Sequence, residues 1–362
     1  MGPAARSTLA SLPDYTVAEV GAPDASFRSH HNENALGAPP HVMDALRRLT
    51  NDEVSRYPEG RYAELLAAFA RSVGVDSQCV AAGNGADEVL SALIDGYAGP
   101  GKNVVMMKPS FGWYSRFAKR SGASVREIAY RTRFEMNAYD VLSRCDERTG
   151  VAIFGNPNNP TGDLLPRAAL FAMLERAPQT LVVVDETYVE LSERSFAGTL
   201  GEYPNLAIVR SMSKVPALAG LRLGFLASTP EVAGAVRRWI QPYPLNAAAV
   251  VAGLAYINGG ALSREFAGRY RHLVRSSLNA IAQACRPIAR VVYPSAANFL
   301  LVDFGTDANR VGAALEARSI RVRRYDGNAG LDTCLRISAL DESGTAAVVT
   351  ALSSISEALL DA

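Results

Sequence analysis

Residues 180–190, TLVVVDETYVE, set an uninterrupted apolar run against an acidic residue at its far end. Three successive valines have the side-chain stiffness of a strand, and a run with no polar alternation suits a strand covered on both faces. Such strands make up parallel sheets flanked by helices, where ligands gather at the carboxyl ends. Asp185 stands at that end, and Tyr188 follows on a short turn that can aim its phenol into the same cleft. Taken alone, the aspartate could equally cap a helix or turn. Around it, CVAAG, NVVMM, SVREIAY, GVAIFG, NLAIVRS and LRLGFLAS also read as strands. They alternate with helical patterns at YAELLAAFARSVG, ADEVLSALIDGYA, WYSRFAKRSG and RAALFAMLERA. The alternation predicts an α/β fold with a mostly parallel central sheet and helices on both faces.

At 362 residues the chain exceeds the size of a usual single core, so a large domain and a smaller one are expected. The first 38 residues read as an irregular N-terminal arm or lid, and residues 39–245 carry the alternating rhythm of the large domain. From 246 to 362 the pattern changes to two long helices, near 246–258 and 262–284, followed by strands at RVVYP, NFLLVDF, IRVRRY and CLRISA and helices at NRVGAALEAR and SGTAAVVTALSSISEALL. This predicts a smaller α+β domain packed against the first, with a cleft between them.

A hydrophobic share of 48%, a charged share of 20% and a net charge of +1 argue against disorder, a nucleic-acid surface or an anionic membrane partner. The four cysteines, Cys79, Cys145, Cys285 and Cys334, follow no metal-ligand spacing and suit reduced thiols in a cytoplasmic protein. His30, His31, His41 and His272 show no metal pairing either, although the first two adjoin the expected lid. The opening MGPAARSTLASLPDY lacks the apolar core of an export signal, and NAAAVVAGLAYI is too short to span a bilayer.

Lysine is scarce: of 37 basic residues only Lys102, Lys108, Lys119 and Lys214 are lysines. Unlike arginine, a lysine can lose its proton and attack a carbonyl. Lys214 sits in SMSKVPALAGLRLGF, residues 211–225, directly after the strand NLAIVR, together with Ser211, Ser213 and Arg222. Two hydroxyls and a guanidinium suit a phosphate. Earlier, GNGADEVL puts Gly83 and Gly85 before a helix start, where free backbone N–H groups favour an anion, although two glycines alone also describe an ordinary turn. The loop NPNNPTG, residues 156–162, follows the strand VAIF and can present Asn159 as a donor, or be a plain turn. An amine for an aldehyde, a carboxylate for a ring nitrogen and a phosphate site together describe pyridoxal 5′-phosphate.

With these parts in order, the chain resembles the fold-type I pyridoxal-phosphate-dependent aminotransferases of class I/II, and within them the histidinol-phosphate aminotransferase group. The likeness runs from PDY to LRIS through NEN, RYP, GNGADE, PSFGWY, NPNNPTG, VVVDETY, SMSKVPALAGLRLGF, PYPL and NFLL. It implies that Lys214 bears the cofactor and shuttles the proton, that Asp185 pairs with the ring nitrogen, and that Asn159 and Tyr188 bond the phenolic oxygen. Phe111 would stack on the ring. The phosphate would lie on Ser211, Ser213, Arg222 and the backbone at Ala86 and Asp87, with Tyr57 reaching in from a second subunit, which implies a homodimer with shared active sites. Arg336 would grip a carboxylate and Arg323 a substrate phosphate, while Tyr15 and Asn32 would close over the substrate. Strand alternation is taken to turn Arg321 and Arg324 to solvent. The implied reaction moves an amino group from L-histidinol phosphate to 2-oxoglutarate by a ping-pong course, in histidine biosynthesis. An aromatic or other amino acid is the alternative donor, a phosphothreonine-type decarboxylase the rival chemistry, and the sensor domain of a transcription regulator the non-catalytic rival.

Overall fold

The computed structural model describes residues 8, 12, 27–131, 134–325 and 330–360. Tyr15 lies outside the described residues. In chain order the strands are β1 (Phe27–Ser29), β2 (Val80–Asn84), β3 (Asn103–Lys108), β4 (Ser124–Ala129), β5 (Thr149–Gly155), β6 (Leu181–Asp185), β7 (Leu206–Ser211) and β8 (Leu223–Ala227). They are followed by β9 (Val291–Val292), β10 (Phe299–Asp303), β11 (Ile320–Arg324) and β12 (Cys334–Ser338).

The valine run forms β6, near the middle of a seven-stranded sheet of order β2-β8-β7-β6-β5-β3-β4. Pairing is parallel from β7 through β4. Val182 and Val184 enter the apolar cluster on one face of this sheet, and Val183 enters the cluster on the other. Each fully buried valine contributes about 1.5–3 kcal/mol against its exposed state, which explains why this strand tolerates no polar alternation. At the other end of the sheet β8 runs antiparallel to both β7 and β2, so two reversals return β2 to the direction of β7. The carboxyl ends of β2, β3, β5, β6 and β7 therefore share one edge with the amino end of β8. That edge carries the site.

A second sheet has order β1-β11-β12-β10-β9, antiparallel except for the parallel pair β1–β11. Its covered face packs with helices Ala261–Cys285, Ala308–Glu316 and Glu342–Leu360 around Tyr270, Ile281, Leu335, Ile337 and Leu352. The first 38 residues are not wholly irregular: β1 pairs Phe27–Ser29 with Ile320–Val322. Three residues are too few to show a period, and the pairing partner lies far along the chain. The expected strand RVVYP shrinks to the two residues of β9. Helix Pro230–Trp239, which the sequence reading passed over, is capped by Thr229, whose hydroxyl accepts from the Val232 N–H at 3.3 Å.

Helix Ala247–Asn258 packs on helices Pro40–Arg47 and Glu59–Val73, beside the larger sheet. The long helix Ala261–Cys285 then bridges the two cores, with Phe266 in the cluster of the larger sheet and Ala267 and Tyr270 in that of the smaller.

Candidate active site

Asp185 ends β6 at the shared edge and is 7% exposed. The Tyr114 hydroxyl donates to its Oδ2 at 2.7 Å, while the Thr187 N–H and hydroxyl donate to Oδ1 at 3.0 and 2.6 Å. Burial pushes this carboxyl above the usual carboxylate range, and the three donors and the more distant Asp87 charge act in opposite senses upon it. The next residue, Glu186, points to the opposite face. There it pairs with Arg210 at 2.8 Å and accepts from Ser195 and the Phe196 N–H, tying β6 to β7 and the following loop.

Lys214 follows β7 and reaches back over the edge. Its Nζ donates to the His31 carbonyl at 3.2 Å and stands 5.6 Å from the Tyr188 ring centroid. Tyr188 is 6% exposed, meets Phe299 edge-on at 5.5 Å, and its hydroxyl accepts from Asn32 Nδ2 at 2.9 Å. Asn32 is held in turn: it is buried at φ 54, its Oδ1 accepts from Ser338 at 2.6 Å, and its carbonyl accepts from Asn298 Nδ2 at 3.0 Å. A positive φ suits asparagine better than most residues.

At one end of this row lies an anion cradle. Helix Ala86–Tyr97 begins after Gly85, no side chain caps its first turn, and Gly85 has φ 85. An added Cβ there would come 2.4 Å from the Arg222 guanidinium. Arg222, just ahead of β8, donates to Asp87 at 3.0 Å, and the Ser213 N–H donates to the Ser211 hydroxyl at 3.1 Å. The cradle thus brings together Ala86, Asp87, Ser211, Ser213 and Arg222. Phe111 lies between β3 and helix Trp113–Ser121, with its ring edge-on to Tyr114 at 5.5 Å.

At the other end, Arg336 is 7% exposed on β12, where it donates to Asn159 Oδ1 at 2.5 Å and to the His30 carbonyl at 2.6 Å. Its guanidinium lies 5.2 Å from the Phe299 ring centroid. Arg323 stands directly opposite Arg336 in the β11–β12 register, so the two share a face. The expectation that Arg321 and Arg324 both turn to solvent fails, since both are half-buried. Alternation puts Arg321 on the face of Arg323, close enough to act on His30. Arg324 takes the opposite face, donating to Asn309 at 2.9 Å over the helix that covers the sheet. The rings of His30 and His31 lie 3.8 Å apart with their planes tilted by 37°, and burial, aided by His31, Arg321, Arg28 and Arg336, lowers His30 to about 4. Tyr57 stands apart, 72% exposed and stacked on Tyr243 at 4.4 Å.

Tyr114, Thr187, Ser338 and the carbonyls of His30 and His31 were not singled out by sequence reasoning. Tyr114 does lie inside PSFGWY, but nothing in the motif distinguishes it from Trp113. The donor set fits pyridoxal 5′-phosphate: an amine facing a row of donors, a buried carboxylate with fixed hydrogen bonds, and a cradle that only a glycine leaves open.

Residues 30–352 match the model of aminotransferase class I and II. The chain is 36% identical over 349 residues to a histidinol-phosphate aminotransferase of Rhodospirillum centenum, covering 93% of this chain and 94% of that protein. It is similar to the crystal structure of a histidinol-phosphate aminotransferase from Sinorhizobium meliloti in complex with pyridoxal 5′-phosphate, with TM-score 0.83 and 25% identity over 92% of each chain. An L-threonine-O-3-phosphate decarboxylase from Porphyromonas gingivalis has the same fold, with TM-score 0.78 at 22% identity, covering 91% of this chain and 99% of that one.

Proposed function

Because the chain belongs to the class I and II aminotransferases, we propose that it transfers the amino group of L-histidinol phosphate to 2-oxoglutarate, with pyridoxal 5′-phosphate as cofactor. The observation that carries this reading is the meeting of Arg222, Lys214 and Asp185, along one edge of the larger sheet, with Arg336 of the smaller sheet, which donates to Asn159 beside that edge, so that an anion site lies at each end. One anion site suits the cofactor's phosphate and the other the substrate's.

When bound, pyridoxal 5′-phosphate supplies a protonated ring that draws electrons from the carbon carrying the amino group. Lys214 Nζ would hold its aldehyde carbon, Asp185 its ring nitrogen, Asn159 and Tyr188 its phenolic oxygen, and Phe111 one ring face. Ser211, Ser213, Arg222 and the backbone at Ala86 and Asp87 would hold its phosphate. Tyr114 and Thr187 aim the Asp185 carboxyl and favour its charged form against the opposing effect of burial. With its amine unbonded, Lys214 would take the proton from the donor's nitrogen-bearing carbon and return it on the other side of the nitrogen. Arg336 and Arg323 orient the donor by its anion. In the return half-reaction they take a carboxylate of 2-oxoglutarate. Asn32 would close over the substrate.

The exposed stack of Tyr57 on Tyr243 supports a homodimer in which Tyr57 completes the phosphate site of a second copy. No helix among the described residues is long and apolar enough to cross a membrane, and we place the enzyme in the cytoplasm, in histidine biosynthesis.

A half-reaction screen tests the reading. Histidinol phosphate, phenylalanine and tyrosine are added separately to the cofactor-loaded enzyme, and the loss of the bound aldehyde's absorbance is followed. Rapid conversion by histidinol phosphate is expected. Conversion by an aromatic amino acid alone would refute the proposed donor, and carbon dioxide release would refute the reaction type.

A further inference from the structure

Buried polar atoms without a partner are rare, and each needs a reason. Among the described residues, the Tyr325 hydroxyl, Arg336 Nε and His30 Nδ1 are all buried with no hydrogen-bond partner. Arg336 links the three residues: its Nη2 donates to the His30 carbonyl, and its charge acts on both His30 and Tyr325. Tyr325 lies two residues beyond Arg323, on the face that Arg323 shares with Arg336. The Arg323 guanidinium is 6.0 Å from the Tyr325 ring centroid. The ring packs against Leu301, Leu331 and Cys334. Burial pushes that phenol above its ordinary range, against the smaller pull of Arg336 and Arg323, so it stays a donor at neutral pH.

A carboxylate presents two oxygens, which one guanidinium fork can satisfy. A phosphate monoester presents three, each able to accept more than one hydrogen bond, and Arg336 already commits Nη1 to Asn159 and Nη2 to the His30 carbonyl, so its free Nε and the fork of Arg323 leave acceptor capacity for a further donor. We infer that the Tyr325 hydroxyl donates to the third oxygen of a phosphate monoester held between Arg336 and Arg323, and so distinguishes phosphate-bearing from carboxylate-bearing substrates. The inference rests on the proposed donor and adds the residue that selects it.

Tyr325→Phe keeps the packing and removes only the donor. Cofactor-loaded wild type and variant are titrated calorimetrically with ethyl phosphate and with propionate. A hydrogen bond to a charged group is worth about 10- to 100-fold in affinity. The variant should bind ethyl phosphate weaker by that factor, bind propionate within about 2-fold of wild type, and retain its cofactor affinity. Equal weakening toward both anions would mean a packing role and would overturn the inference. Unchanged binding of ethyl phosphate, or none by wild type, would overturn it as well. The donor reading is judged separately: wild type that converts phenylalanine but not histidinol phosphate refutes that reading, while a selective loss of ethyl phosphate binding still upholds Tyr325 as the phosphate reader.

Discussion

Gly85→Ala and Gly96→Ala make the same chemical change at opposite ends of helix Ala86–Tyr97, and the structure predicts opposite outcomes. At φ 85 and ψ 163, Gly85 occupies a region nearly closed to other residues. An alanine there costs about 1–3 kcal/mol of stability. Its Cβ would stand 2.4 Å from Arg222 Nη2 and 3.0 Å from Cζ, so the guanidinium must swing out of the cradle. Losing the Arg222–Asp87 pair adds little, because the two side chains are 41% and 48% exposed. Losing the charged hydrogen bond that we propose the arginine makes to the cofactor's phosphate would cost more, about 1.5–3 kcal/mol, or roughly 10- to 100-fold in affinity. At Gly96 nothing lies within 4 Å of an added Cβ, and the position is exposed in the helix. Alanine there should stabilise by about 0.5–1 kcal/mol and leave cofactor binding alone. Thermal unfolding of the cofactor-free proteins and an absorbance titration with pyridoxal 5′-phosphate read both effects. If Gly85→Ala binds the cofactor within 2-fold of wild type, or Gly96→Ala weakens it as much, the helix start is not the cradle.

Lys214→Ala should abolish amino transfer and the absorbance of the lysine-bound cofactor; a variant with wild-type turnover would end the assignment. Tyr114→Phe removes a donor that lowers the Asp185 carboxyl, so that carboxyl rises further and the acid limb of kcat/KM should move to higher pH. Stability should fall by about 1–3 kcal/mol; an unmoved limb with unchanged stability would remove Tyr114 from the site. Burial pushes the Glu190 carboxyl up to about 7, only partly countered by Arg210 and Arg271. A folded value above the unfolded one means that the stability linked to this proton is full below about pH 4.5 and lost as pH rises through 7. Glu190→Gln should therefore match wild type at pH 4.5 and exceed it at pH 8, by about 1–2 kcal/mol after discounting for the solvent that reaches this half-buried side chain. Parallel stability profiles would refute this.

The core of the site is legible because period and position coincide. Apolar runs mark β5, β6 and β7, and Asn159, Asp185 and Lys214 follow their ends directly. Arg336 is different: it lies in the middle of β12, and only the resemblance of LRIS to the family motif points to it. Tyr114 is not legible, since its meeting with Asp185 depends on how helix Trp113–Ser121 sits on the sheet, which no local pattern encodes. β1 is hidden for a related reason: a three-residue strand acquires its identity from Ile320–Val322, almost the whole chain away. Arg321 and Arg324 cannot share a solvent-facing side, because odd spacing puts them on opposite faces and Arg324 meets Asn309 of the covering helix. Tyr57 is legible as a motif, but its surroundings in a single chain are solvent and Tyr243.

Asp185 and Glu186 are adjacent acids with opposite assignments, one among the donors of the site and one locked to Arg210. A strand reverses its side chains at every step. Inserting or deleting one residue in β6 would therefore trade the two carboxylates, sending the wrong acid to each side of the sheet. The ion pair to Arg210 acts as a ratchet against such slippage: it makes the misaligned strand lose a buried charge partner at the same moment that the reaction centre loses its own.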